Sequence, residues 1–147
     1  MIDQTILLVE DEPNSVFLLQ HVLKRAGIAN PVYVAKDGRE ALDYLEGIGP
    51  FADRGTHPLP ALVLLDLKLP RADGFEVLER IRKRPDTQKL IVLILTSSAS
   101  DDDIARAYAL GTNAYLVKPL RLEKLEEMVR AIKDFWLVQN HPAPLAP

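Results

Sequence analysis

Cysteine is absent from all 147 residues, so disulfides, thiolate metal sites and thiol catalysis are excluded. Glycine is scarce, at 7 residues, and none follows the first apolar run, where EDEPNS stands in place of a phosphate-cradling loop. That argues against a nucleotide-binding domain. No apolar run approaches the ~20 residues needed to span a bilayer. The opening MIDQTILLVEDEP carries acids where a signal peptide needs a basic region, so the protein reads as cytoplasmic, with no membrane partner. Basic residues are in slight deficit, 18 Lys and Arg against 21 Asp and Glu, and the net charge of −3 speaks against nucleic acid as a direct partner. The length fits one domain, large enough to bury roughly 70% of the surface its unfolded chain exposes.

What is present is an alternation. Short apolar runs at residues 6–9, 32–35, 62–65, 91–95 and 115–117 are separated by amphipathic stretches. Val16, Leu19, Val22 and Leu23 recur at helical spacing, as do Phe75, Leu78 and Ile81, and then Ile104 and Tyr108. Leu122, Leu125, Val129, Ile132 and Trp136 mark one face of a last helix. Continuous apolar strands alternating with helices predict an α/β fold, a doubly wound five-stranded parallel sheet covered on both faces. Pro13 suits a helix's first turn, Ser100 with Asp103 reads as a capping box, and Gly27 and Gly111 stand where helices should end. Arg121 stands where the last helix would want a cap. Residues 47–60 show no periodicity and read as a long loop inserted before the third strand. The expected division is one domain over 1–137 and a Pro-rich tail over 138–147.

Polar residues sit at the ends of four runs: Glu10 and Asp11, Asp66, Thr96 and Ser97, and Lys118 before Pro119. Open parallel sheets bind ligands at the carboxyl ends of their strands, beside the point where strand order reverses. One rim therefore receives three acids, a hydroxyl and an amine. Clustered carboxylates need a cation, and an all-oxygen set suits Mg²⁺. A carboxylate can act as nucleophile and form an aspartyl-phosphate. Phosphoryl transfer asks mainly for positioning and neutralisation of the equatorial oxygens, which Mg²⁺, Lys118 and Thr96 can share. Singly, each residue has an ordinary explanation: helix-dipole acids, a turn former before Pro70, a β-branched strand end, a solvated lysine. Together, at four strand ends, those explanations lose their force. His21, His57 and His141 lack metal-ligand spacing and read as surface or structural.

These residues resemble the receiver domains of bacterial response regulators from Thr5 to about Ile132. ILLVEDEP resembles the family's first strand with its acidic pair. LVLLDLKLPRADGFEVL, with Pro70 and Gly74 in place, resembles the stretch around its phosphoacceptor, ILTSSAS the strand ending in a hydroxyl, and NAYLVKPL the strand ending in Lys-Pro. The resemblance implies the flavodoxin-like (βα)5 fold and phosphorylation of Asp66 by a sensor histidine kinase. Mg²⁺ would be held by Glu10, Asp11, Asp66 and the carbonyl of Lys68. It implies phosphoryl contacts from Thr96 and Lys118, an aromatic switch at Tyr115 and a cis Lys118–Pro119 bond. The insertion, TSSAS, NAYLVKP and the DFW near the end resemble single-domain regulators that partner phytochrome-type kinases.

Three rivals differ in class. An aspartyl-nucleophile phosphatase of the dehalogenase-like kind needs an acid two residues past the nucleophile, where Lys68 stands. A nucleotide-binding domain needs the missing glycines. A degenerate receiver acting only as a binding module would have lost part of the signature, and all of it is here. The expectation is a phosphoacceptor that assists its own phosphorylation and dephosphorylation rather than an enzyme. It signals through a surface, with a homodimer through the fourth helix, fifth strand and fifth helix.

Overall fold

The computed structural model describes residues 4–145, so the outermost ends of the expected domain and tail, 1–3 and 146–147, lie outside the described residues. The five apolar runs form strands β1 (Ile6–Val9), β2 (Val32–Ala35), β3 (Leu62–Leu65), β4 (Ile91–Thr96) and β5 (Ala114–Val117). Helices α1 (Pro13–Arg25), α2 (Gly38–Glu46), α3 (Gly74–Lys83), α4 (Asp101–Ala109) and α5 (Leu122–Ile132) alternate with them. The strands pair in parallel in the order β2-β1-β3-β4-β5. This is the doubly wound sheet expected, and its order reverses between β1 and β3.

Alternating side chains divide the core in two, as the period of a strand demands. Leu7, Val9, Val63, Leu65, Val92 and Ile94 pack on the face covered by α2 and α3. Ile6, Leu8, Leu62, Leu64, Leu93 and Leu95 pack on the opposite face with α1 and α5. Strands buried on both faces explain why the runs are continuous rather than alternating. Each such side chain contributes about 1.5–3 kcal/mol by leaving water. Among the described residues no helix is long and apolar enough to cross a membrane.

Most punctuation falls where the sequence places it. Pro13 opens α1, with Glu12 as an unforeseen cap that accepts from the N–H groups of Asn14 and Ser15. Gly111 follows α4 at φ 99°, a left-handed conformation open to glycine at little cost. Arg121 caps α5 with no side-chain bond. The capping box of α4 is only half formed: Ser100 Oγ accepts the N–H of Asp103, but the Asp103 carboxylate turns to Ser98 instead. In the insertion, the Arg54 guanidinium donates to the carbonyls of Tyr44 and Leu45 at the end of α2 and to that of His57 within the insertion itself. His57 packs edge-on against Tyr33 and Tyr44 there, and Phe51 meets Tyr33 edge-on and Tyr44 at a 50° tilt. The loop is pinned by caps and rings, so it needs no periodicity. Beyond α5 the chain widens into a π-helix, Lys133–Gln139, and residues 140–145 form no regular element.

One expectation is overturned. No peptide bond among the described residues is cis, so Lys118–Pro119 is trans. Trans is the favoured state of an X–Pro bond by about 0.5–1 kcal/mol, and only the resemblance argued for the other isomer.

Candidate functional site

Sheet register brings the strand ends together. Val9 lies beside Leu65, Leu65 beside Ile94 and Thr96 beside Val117, so residues 10, 66 and 118 leave the sheet on one rim. Glu10 is buried, Asp66 half-buried and Asp11 exposed, and each offers an oxygen within 4.8 Å of the others. Three carboxyl groups converge at the switch point.

Lys118 stands among them. Its Nζ donates to Glu10 Oε1, to Asp66 Oδ2 at 3.1 Å and to Ser15 Oγ at 3.3 Å. Burial alone would lower the Lys118 pKa, but the hydrogen bond to Glu10 and the charges of Asp66 and Glu10 outweigh it and hold the ammonium above its ordinary value. The other oxygen of Asp66 accepts the N–H of Leu67 at 2.7 Å and, weakly, that of Lys68 at 3.4 Å. Glu10 is fixed through both oxygens, accepting from Ser15 Oγ at 3.0 Å and from the N–H of Glu12 at 3.1 Å. Ser15, on the first turn of α1, is a site residue that the strand-end pattern misses. A hydroxyl in the turn just after an acidic strand end was the available signal.

Gly74 sets how closely α3 approaches. A Cβ there would lie 2.2 Å from the Asp66 carbonyl oxygen and 2.7 Å from Leu67 Cα. The N–H of Gly74 donates to the Leu67 carbonyl at 2.8 Å, which anchors the turn after β3. Only a residue without a side chain lets the helix start here.

Thr96 is fully buried, and its hydroxyl oxygen lies 3.5 Å from the N–H of Ser98. Tyr115 faces inward against the α2–α3 side of the core, and its hydroxyl donates to the Ser98 carbonyl at 3.0 Å. Its phenol pKa is raised by burial, eased by the Ser98 bond and raised again by the charges of Asp103 and Asp66. Lys68 is exposed beside a cleft of about 500 Å³ that also touches Asp11, Phe75, Asp103 and Arg106.

Residues 6–130 match the model of the response regulator receiver domain. The chain belongs to that family. Among its relatives is the probable methanogenesis regulatory protein FilR2 of Methanothrix harundinacea, 42% identical over 95% of this chain and 88% of that protein. Response regulator Rcp1 of Synechocystis is 40% identical over 91% of this chain and 89% of that protein. The crystal structure of the phosphorylated cyanobacterial phytochrome response regulator RcpA superposes with a TM-score of 0.90 at 35% identity, covering 97% of this receiver and all of that chain. That of the Mn²⁺-bound form of Rcp1 gives 0.86 at 38% identity, covering 96% and 99%. This is thus a receiver domain of the two-component type, similar along nearly its whole length to phytochrome response regulators.

Proposed function

We propose that Asp66 accepts a phosphoryl group from a histidine kinase, with Mg²⁺ held by Glu10, Asp11, Asp66 and the Lys68 carbonyl. The carrying observation is the Asp66 carboxylate at the end of the central strand. One oxygen is tied to the Leu67 N–H and the other to the Lys118 ammonium, within reach of two further carboxylates. An all-oxygen donor set of this size fits a hard divalent cation, and Rcp1 holds Mn²⁺. The metal, when bound, supplies charge neutralisation at the phosphoryl oxygens.

The chain's own groups do the rest. The β3–α3 turn aims Asp66, and the phosphohistidine N–P bond breaks as the Asp66 O–P bond forms. Lys118 keeps its proton and balances charge on the phosphoryl oxygens, and the Thr96 hydroxyl donates to another. That RcpA is a phosphorylated protein of the same fold supports this reading. The donor kinase is of the phytochrome type, on the strength of RcpA. The lysine two residues past Asp66 remains the argument against a dehalogenase-like phosphatase.

Incubation with acetyl phosphate and Mg²⁺ should add one phosphoryl group by intact mass, absent with EDTA and absent in Asp66→Asn. Labelling that survives Asp66→Asn refutes the assignment.

Signalling is proposed to leave through α4, β5 and α5, as a homodimer. Tyr108, Val117, Leu120, Leu122, Phe135 and Val138 expose apolar surface along these elements and the π-helix. Trp136 is only half-buried and packs back on its own core, so Phe135 is the better anchor.

A further inference from the structure

Ser98 ties down the turn between β4 and α4 with four hydrogen bonds. Its N–H lies 3.5 Å from Thr96 Oγ1, and its carbonyl accepts from the Tyr115 hydroxyl at 3.0 Å. Its own hydroxyl donates to Asp103 Oδ2 at 2.6 Å and accepts from the Ser100 N–H at 3.3 Å. One residue thus joins the buried hydroxyl of the rim, the aromatic ring on β5 and the first turn of α4. An acid three residues after a serine cap ordinarily reaches back to the cap's N–H. Asp103 does not; its carboxylate holds Ser98 instead, at the short distance of a charge-assisted bond.

We infer that Asp103 is a positioning residue of the switch: by clamping the Ser98 hydroxyl it presents the Ser98 carbonyl to Tyr115 and biases the ring inward before any phosphoryl group arrives. This rests on the role proposed above for Asp66 and on the aromatic switch that the family resemblance implies at Tyr115. An unclamped turn would let the carbonyl rotate away, and the phenol would lose its acceptor and exchange to solvent. With the clamp, phosphorylation acts on a turn already near its signalling arrangement. The ring's position is then set by α4 as well as by Asp66.

Fluorine NMR of the unphosphorylated, 3-fluorotyrosine-labelled chain tests this directly. Four tyrosines give four resonances, and Tyr115→Phe identifies the one that matters. Asp103→Ala should move that resonance toward its solvent-exposed position, with the inward-to-outward ratio falling at least about tenfold. Asp103→Asn, whose amide oxygen still accepts from Ser98, should stay within about threefold of wild type. Ser98→Ala removes the same bond from the other side, and adding Asp103→Ala to it should change nothing further. Ser98→Ala carries the test if Asp103→Ala proves too unstable. A resonance that stays put in both alanine variants overturns the inference, as does a lowered melting temperature in Asp103→Ala with the resonance unmoved. Because no phosphoryl group is involved, failure of the acetyl phosphate experiment would leave this result standing and separately readable.

Discussion

Lys118→Met removes the only ammonium that, among the described residues, bonds to the rim carboxylates, while keeping an apolar stem of similar length. The side chains of Lys118 and Glu10 are 20% and 3% exposed, and that of Asp66 is 12% exposed, so solvent screens the pairs weakly. Breaking a buried pair by deleting one partner costs about 3–5 kcal/mol. Glu10 keeps its bonds from Ser15 and the Glu12 N–H, and Asp66 keeps the Leu67 N–H, which places the loss at the lower end, about 3 kcal/mol. For a domain of this size that is a melting temperature lower by about 6–12 °C. Urea denaturation in EDTA, followed by circular dichroism, gives the number. Exposed Lys124, which pairs with Glu127 on its own helix, is the control, and Lys124→Met should stay within about 0.5 kcal/mol. Mg²⁺ then provides the second half of the test. A ligand at 100 times its Kd stabilises by about 2.7 kcal/mol, and the variant should gain more than wild type at equal Mg²⁺, because no internal cation competes for the carboxylates. A Lys118→Met variant within 1 kcal/mol of wild type in EDTA (~1, against the ~3 expected), or one that gains less from Mg²⁺, would refute the reasoning.

Gly74→Ala forces a methyl into the Asp66 carbonyl, so α3 must back away; stability should fall by about 1–3 kcal/mol and acetyl phosphate labelling should slow, while wild-type labelling kinetics would show the close approach to be dispensable. The Tyr33 phenol is pushed up to about 12 by burial and by its hydrogen bond to Glu40, so the fold favours its protonated form. That contribution is complete below about pH 10 and is lost as pH rises through about 12, so urea melts across this range should decline less steeply in Tyr33→Phe; equal slopes would contradict the assignment. Phe135→Ser should abolish any dimer seen by light scattering without unfolding the monomer, since that ring is 51% exposed, and a monomeric wild type at high concentration would end the dimer proposal.

The strands were legible because they are buried on both faces: five unbroken apolar runs needed only one added residue each at Thr96 and Ala114. Helix α2 was less visible, since Ala41, Leu42, Tyr44 and Leu45 crowd its buried positions into barely more than one turn. The acids, Thr96 and Lys118 could be read from position alone, because parallel strands all deliver their ends to one rim. Side chains that act between elements could not. Whether Ser15 meets Glu10, or Asp103 meets Ser98 rather than Ser100, depends on how each helix is rotated over its strand, and hydrophobic pattern does not fix that to within a hydrogen bond. Arg71 shows the same limit for backbone: it adopts φ 70° in the turn after β3, where its neighbours Pro70 and Asp73 announce a turn but not which residue takes the left-handed position. The trans Lys118–Pro119 bond was likewise invisible, since both isomers fit the same residues.

Sequence separation explains why this site is tied to the integrity of the whole sheet. The Asp66–Leu67 hydrogen bond is local and needs only the turn after β3. The bonds from Lys118 to Asp66 and Glu10 span 52 and 108 residues, and they form only when β5 has docked on β4, β4 on β3 and β3 on β1. Until then the carboxylates are dispersed and repel little. Once the sheet closes they are brought within 4.8 Å of one another, and the same closure delivers the ammonium that offsets their repulsion. The last strand therefore serves two ends at once: it completes the sheet's edge, and it neutralises the crowding that the sheet's own order creates. A receiver that lost Lys118 would keep the crowding and lose the remedy, so the ammonium proposed to balance a phosphoryl charge also offsets carboxylate repulsion in the metal-free fold.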